Sequence, residues 1–84
     1  MTILKQIAEH LEKGNADDVA ELTRKAIEQE TDLQTILNDG LIAGMTVFGR
    51  KFKQHEIFLP DVLMAARAMY AGMDILKPLM IEEG

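Results

Sequence analysis

The chain has 84 residues and a net charge of −5, with 48% hydrophobic residues and no cysteine. Its length fits one small domain, and the missing cysteines exclude disulfides, thiol nucleophiles and cysteine-based metal sites. The acidic balance argues against nucleic-acid binding, and no apolar run approaches the length of a membrane-spanning helix, about 20 residues. The N-terminus lacks a signal-peptide pattern, so we expect a cytoplasmic protein that binds neither nucleic acid nor membrane.

Two amphipathic helices begin the chain. The first is predicted over residues 2–13, because four aliphatic residues recur there at helical spacing. These are Ile3, Leu4, Ile7 and Leu11. Gly14 is placed to end this helix, and Asn15 is a favourable N-cap for the second, which is predicted over residues 16–29.

The third predicted helix spans residues 32–53. Either Thr31 or Asp32 caps it. The sequence Asn38-Asp39-Gly40 in its middle would elsewhere indicate a turn. Since the apolar period passes through this segment in phase, we expect one helix that is kinked or briefly interrupted there.

The fourth predicted helix spans residues 60–77. Pro60 is suited to the first helical position, where its missing N–H would be unpaired anyway. Pro78 should end or kink the helix. Four helices, no strands and short loops predict an all-α, antiparallel four-helix bundle.

Few residues suggest catalysis or metal binding. His10 and His55 stand outside the spacings that hold metals in helical bundles. Gly40, Gly44 and Gly49 fall inside a helical pattern, where each glycine costs roughly 0.5–1 kcal/mol relative to alanine. We therefore expect another helix to approach the third helix closely.

Two opposite faces of the fourth helix differ in side-chain size. One is a stripe, spaced by three and four, that begins with an aromatic ring and continues with small residues: Phe58, Asp61, Ala65, Ala68 and Gly72. The other carries enough bulk to form the core: Leu59, Val62, Leu63, Ala66, Met69, Met73 and Leu76. The stripe could receive another helix, a second copy of the chain or a planar ligand.

The densest pattern lies in residues 41–69, LIAGMTVFGRKFKQHEIFLPDVLMAARAM. Its distinctive features are Gly44-Met45, then Gly49 and Phe52, then Phe58-Leu59-Pro60 with Val62, and finally Ala65 to Met69. Together they resemble the helical cap domain of cobalamin-dependent methyl carriers, over about residues 14–80. That family comprises the corrinoid proteins of methanol, methylamine and aryl-ether methyltransferase systems and the cobalamin module of methionine synthase.

The resemblance implies a four-helix bundle that precedes a Rossmann-like corrinoid-binding domain and covers the upper, methyl-bearing face of cobalamin. It implies that Phe58 is the aromatic residue near the methyl group. The other cofactor-facing positions that it implies are Asp61, Val62, Ala65, Ala68 and Gly72. Positions 65 and 68 carry bulkier residues in some relatives, so the cover here would be looser. The implied partners are the chain's own C-terminal corrinoid-binding domain and methyltransferase subunits.

The cobalt ligand of such proteins is a histidine in an Asp-x-His-x-x-Gly motif, and neither His10 nor His55 stands in one. We therefore expect residues 1–84 to be a cap-domain fragment without the corrinoid-binding domain, with no enzyme activity and no tightly bound cobalamin. The alternative is a free-standing helical interaction or dimerisation module. In both cases an exposed stripe favours self-association, and we expect a homodimer through the fourth helix.

Overall fold

The structure, a computed structural model, describes residues 2–55 and 59–83. Its helices are α1 (Ile3–Glu12), α2 (Ala16–Glu28), α3 and α4 (Leu59–Glu83). Helix α3 is continuous and consists of Leu33–Thr35, Ile36–Ile42 and Ala43–Lys53. The described ranges contain no strand, so the predicted all-α four-helix bundle is confirmed.

Helices α1 and α2 end in the same way. Gly14 follows α1 with φ 76°, and its N–H donates to the Leu11 carbonyl at 3.0 Å. Glu30 follows α2 with φ 61°, and its N–H donates to the Ile27 carbonyl at 2.9 Å. Glycine adopts this left-handed conformation at little cost, whereas a residue with a Cβ is strained by it. The predicted role of Gly14 is confirmed, and Glu30 adopts the same geometry without a glycine to predict it.

The N-caps of α2 and α3 use their side chains differently. Asn15 precedes α2 as predicted, but its side chain makes no capping hydrogen bond, and its Nδ2 lies 3.1 Å from Nδ1 of His10. Asp32 caps α3: its Oδ2 accepts from the backbone N–H and the hydroxyl of Thr35, each at 3.1 Å. Asp32, and not Thr31, is therefore the cap.

The predicted interruption of α3 is a π-helical stretch, Ile36–Ile42. The N–H of Ala43 donates to the Asn38 carbonyl, five residues earlier instead of four. Each π-helical turn holds more residues than an α-helical turn. The wider turn accommodates Asn38-Asp39-Gly40 without ending the helix, and the prediction of one interrupted helix is confirmed.

Helix α4 continues past Pro78 to Glu83, so the predicted end at Lys77 is wrong. Proline removes one helical hydrogen bond. The next residues, Leu79 and Met80, are half-buried and pack against the core, and this burial offsets the lost bond. Although α4 is the longest helix, no helix within the described ranges is long and apolar enough to cross a membrane.

The core lies where the four helices meet. Its buried members come from all of them: Ile7, Leu11, Val19, Ala26, Leu33, Ile36, Leu41, Ala68 and Leu76. Close approach of α1 to α3 requires glycine, because a Cβ at Gly44 would lie 2.9 Å from the carbonyl oxygen of Ala8. A Cβ at Gly40 would lie 3.2 Å from Ile7, whereas one at Gly49 would meet nothing within 4 Å. The predicted close packing is confirmed at the first two glycines and absent at the third.

The small-residue stripe of α4, which was predicted to be exposed, is instead the buried face of the helix. The inner face consists of four buried residues: Ala65, Ala68, Gly72 and Leu76. The outer ridge consists of seven exposed residues: Leu59, Leu63, Arg67, Tyr70, Asp74, Lys77 and Ile81. Of the predicted core side, only Leu76 is fully buried, four residues are half-buried, and Leu59 and Leu63 are exposed. The prediction failed because small side chains let the α4 backbone approach α2, with which it shares its most extensive contact.

Candidate functional site

The candidate site is the first turn of α4, where the predicted cofactor-facing positions begin. The helix starts at Leu59, and Pro60 is its second residue. Proline is tolerated there because the first N–H groups of a helix have no partner within it. Asp61 adds a negative charge to this turn, where the helix dipole favours it.

Asp61 and Val62 continue the inner face of α4 toward its N-terminus. They precede Ala65 by four and three residues, which places all three on one side of the helix. Asp61 is exposed and Val62 is half-buried, whereas Ala65 is fully buried. The inner face is therefore open at Asp61 and Val62, which we call the open turn, and covered from Ala65 onward.

The remaining predicted positions do not form an exposed stripe. Ala65 and Ala68 have 0% exposure. A Cβ at Gly72 would lie 2.7 Å from Cδ2 of Leu41 and 3.3 Å from Cγ1 of Val19. The expectation that this stripe is bare without a cofactor is therefore wrong, because the chain's own helices cover it. Phe58, the predicted aromatic residue near the methyl group, lies outside the described residues.

The loop between α1 and α2 packs against α4 just after the open turn. A Cβ at Gly14 would lie 2.6 Å from Cβ of Met64, so only a glycine fits between them. The hydrogen bond between Asn15 and His10 holds this loop, and His10 Nδ1 lies 3.6 Å from Oδ2 of Asp18. These contacts fix the position of the first turns of α4 relative to α1 and α2.

The end of α3 is fixed by one ion pair and one buried ring. Lys51 pairs with Glu12 of α1, whose side chain is only 17% exposed. Phe48 is buried, whereas Phe52 is 46% exposed one turn later. The C-terminal end of α3 is thereby joined to α1 before the chain enters α4.

Metal-ligating groups do not meet at the open turn. Residues 2–55 and 59–83 contain no group of three His, Cys, Asp or Glu side chains that could hold a metal ion. His10 takes part in the loop contact, and His55 is an exposed residue that follows α3 with φ 61°. The open turn can thus offer an apolar contact to a flat surface, and the described residues do not offer metal ligation.

One cavity lies far along α4 from the open turn. Its volume is about 620 Å³, and its lining combines aliphatic side chains with three carboxylates: Ile27, Glu30, Thr31, Asp32, Leu33, Leu79 and Glu82. It is therefore separate from the positions that the sequence predicts for a cofactor.

Comparison with known proteins shows where this architecture occurs. A family model described as the B12 binding domain matches residues 3–77. The chain belongs to the B12 binding domain family. A corrinoid protein of Desulfitobacterium hafniense is 39% identical over 84 residues, which are 100% of this chain and 39% of that protein. The dimethylamine corrinoid protein of Methanosarcina barkeri is 39% identical over 80 residues, which are 95% of this chain and 37% of that protein.

The fold of this B12 binding domain also matches a solved structure. The monomethylamine corrinoid protein of Methanosarcina barkeri superposes with a TM-score of 0.88 at 32% identity, covering 90% of this chain and 36% of that chain. The resemblance to the helical cap domain of corrinoid methyl carriers is therefore confirmed. This chain spans less than two fifths of the length of these relatives.

Sequence reasoning missed one buried polar residue in α2. Thr23 has 0% exposure, and its hydroxyl has no hydrogen-bond partner in the described part of the chain. The residue stands between Val19 and Ala26 in the apolar period of α2, so spacing alone could have placed it in the core. Because threonine is polar, the pattern of apolar residues did not predict that Thr23 is buried.

Proposed function

We propose that this B12 binding domain covers the methyl-bearing face of a corrinoid, and that the open turn of α4 is the part that touches the ring. One observation carries the proposal: α4 buries its inner face from Ala65 onward but leaves it open at Asp61 and Val62. The resemblance assigns these same positions to the ring. A bound corrinoid supplies the cobalt that carries the methyl group.

The residues of the open turn have different parts in this proposal. Val62 supplies an apolar contact that keeps water from the upper face of the ring, as a closed active site excludes side reactions. Phe58 precedes Val62 by four residues, which suits a place near the methyl group. Asp61 is exposed and keeps its carboxylate at the solvent edge of the contact.

The buried positions act through helix placement. Ala65, Ala68 and Gly72 let α4 lie close to its neighbours, and that distance sets where the open turn lies. They are therefore positioning residues and not contact residues. This revises the role that the sequence suggested for them.

The domain carries out no chemical step in this proposal. It would move aside so that methyltransferase subunits reach the same face of the ring, a gating motion. Its own C-terminal corrinoid-binding domain would hold the cobalt. A contact limited to one helical turn suits such a motion, because the strength of an apolar contact scales with the area buried.

A chimeric protein tests whether this domain covers the methyl-bearing face of the corrinoid. Residues 3–77 would replace the matching segment of the Methanosarcina barkeri dimethylamine corrinoid protein, loaded with methylcobalamin. Light cleaves the methyl–cobalt bond, and the visible spectrum reports the rate. We expect photolysis as slow as in the parent protein, and several-fold faster photolysis after Val62→Asp, which would bring water and charge to the ring.

Leu63→Asp is the matched control, because it introduces the same side chain at the next residue, on the outer ridge. It should leave the photolysis rate unchanged. Equal effects of the two substitutions would contradict the proposal. So would a folded, corrinoid-loaded chimera that photolyses as fast as free methylcobalamin.

The 84-residue chain alone is expected to bind methylcobalamin weakly or not at all, since neither His10 nor His55 stands in the Asp-x-His-x-x-Gly motif of the cobalt ligand. Titration followed by the visible spectrum measures this. A tight stoichiometric complex would show that the chain holds the cofactor by itself.

A further inference from the structure

The outer ridge of α4 carries four of the seven large hydrophobic side chains that are exposed within the described residues. Leu63 is 73% exposed, Tyr70 67% and Ile81 71%, and Leu59 at the start of the helix is 74% exposed. Monomeric proteins seldom expose contiguous apolar surface of this kind without a partner. From Leu59 to Ile81 the ridge extends roughly 33 Å, at 1.5 Å per residue.

The residues of the ridge can pair with those of a second, antiparallel copy of the same ridge. When a second copy is laid antiparallel with Tyr70 opposite Tyr70, Arg67 faces Asp74 and Leu63 faces Lys77. Leu59 then faces Ile81. Each facing pair occurs twice, as a two-fold axis requires. A parallel arrangement would instead place Arg67 against Arg67 and Asp74 against Asp74.

The charged pair is available for such a contact. Arg67 and Asp74 are both exposed, and neither takes part in the ion pairs found within the described residues. Lys77 can lay its aliphatic stem over Leu63 and keep its ammonium group in water. The ridge therefore offers two intermolecular ion pairs around a central aromatic contact.

We propose that two copies of this chain associate through the outer ridges of α4 as an antiparallel, two-fold symmetric dimer with Tyr70 at the axis. The second copy is the occupant because the charge order of the ridge matches its own reverse. Leu59 precedes Val62 by three residues and therefore borders the open turn, whereas Tyr70 lies roughly 12 Å further along α4, at 1.5 Å per residue. The centre of the dimer contact is thus separate from the proposed ring contact, and the dimer does not depend on that proposal.

Charge exchange tests the pairing. Sedimentation equilibrium of the 84-residue chain is measured in 0.15 M salt, where a Debye length of about 8 Å screens the net charge of each copy. We expect a reversible dimer. Arg67→Asp and Asp74→Arg should each raise the dissociation constant about tenfold, because each turns two attractive contacts into two repulsive ones.

The double variant R67D/D74R restores both pairs in exchanged order and should return the dissociation constant to within about threefold of the starting value. Both single variants must keep the circular-dichroism spectrum of the parent, so that a change in assembly is not a loss of fold. If the dissociation constant of the double variant is as high as those of the single variants, the antiparallel pairing is wrong.

Cross-linking tests the axis independently. The chain has no cysteine, so Tyr70→Cys places one thiol per copy beside the two-fold axis. Mild oxidation should convert this variant largely into a disulfide-linked dimer, whereas Glu21→Cys, on the exposed side of α2, should remain mostly uncross-linked. Equal cross-linking of both variants, or a parent chain that stays monomeric at several hundred micromolar, would overturn the proposal. A monomer would leave the ridge to a different partner.

Discussion

The inner face and the outer ridge of α4 lie on different sides of one helix and differ in side-chain size and in exposure. The inner face places Ala65, Ala68 and Gly72 in the core at 0% exposure or in direct contact with it. The outer ridge places Leu63 and Tyr70 in solvent. Side-chain volume alone would assign these faces the other way round.

The difference shows that the distance between helix axes decides which face is buried. Interaxial distances of helices depend on the side chains at the contact. Where alanine and glycine line the contact, the backbone of α4 comes within reach of Leu41 and Val19, which provide the bulk. Large residues on the outer ridge are mostly exposed and are available to a second molecule.

Two leucines on α4 give the largest expected contrast. Leu76→Ala should destabilise the domain by about 3 kcal/mol, because it leaves a cavity at a fully buried position. The same substitution at Leu63, which is 73% exposed, should change the free energy of unfolding by less than about 0.5 kcal/mol. Urea unfolding below the concentration at which the chain self-associates measures both. Comparable losses would mean that the outer ridge belongs to the core.

Two glycines test the close approach. Gly72→Ala should destabilise the domain by about 1 kcal/mol, because its Cβ would displace Leu41, which is itself fully buried. Gly49→Ala should stabilise it by roughly 0.5–1 kcal/mol, since a Cβ there meets nothing within 4 Å and alanine is the better helix former. Thermal unfolding gives both values. If both variants shift the midpoint of thermal unfolding in the same direction, the close approach at Gly72 is contradicted.

Thr23 extends the comparison to α2, the helix that packs most extensively on α4. Thr23→Val keeps the shape of the side chain and removes a buried hydroxyl that has no partner within the described residues. We expect a gain of about 0.5–1 kcal/mol in the free energy of unfolding. Thr46→Val is the control, because the Thr46 hydroxyl is exposed and donates to the Ile42 carbonyl at 3.0 Å. A loss of stability at Thr23 would indicate that its hydroxyl is satisfied.

Local signals in the sequence predicted the elements well. Gly14 marks the end of α1, and the unbroken apolar period predicted that α3 would continue through Asn38-Asp39-Gly40. The end of α4 was predicted wrongly, because the prediction rested on the helical hydrogen bond that Pro78 removes. It did not include the burial of Leu79 and Met80, which follow the proline. Glu30 was missed for a related reason: nothing in its side chain signals a left-handed residue.

The candidate site was predictable in part. The resemblance directed attention to the start of α4, and Asp61 and Val62 do lie where the inner face opens. It also grouped Ala65, Ala68 and Gly72 with them, since one helical period connects these three positions to Asp61. Spacing gives the side of a helix but not the point along it where neighbouring helices begin to cover it.

The sequence by itself determined the family, the four helices and most of their ends, because these depend on nearby residues and on a recurring pattern. Only the tertiary structure decided which face of α4 is buried. That choice depends on how closely α2 and α3 approach the helix, and therefore on contacts such as Gly72 with Leu41 that join residues distant in the chain. Small residues let the backbone of α4 approach its neighbours closely, and the face that carries them is buried for that reason. This close approach is seen only in the tertiary structure.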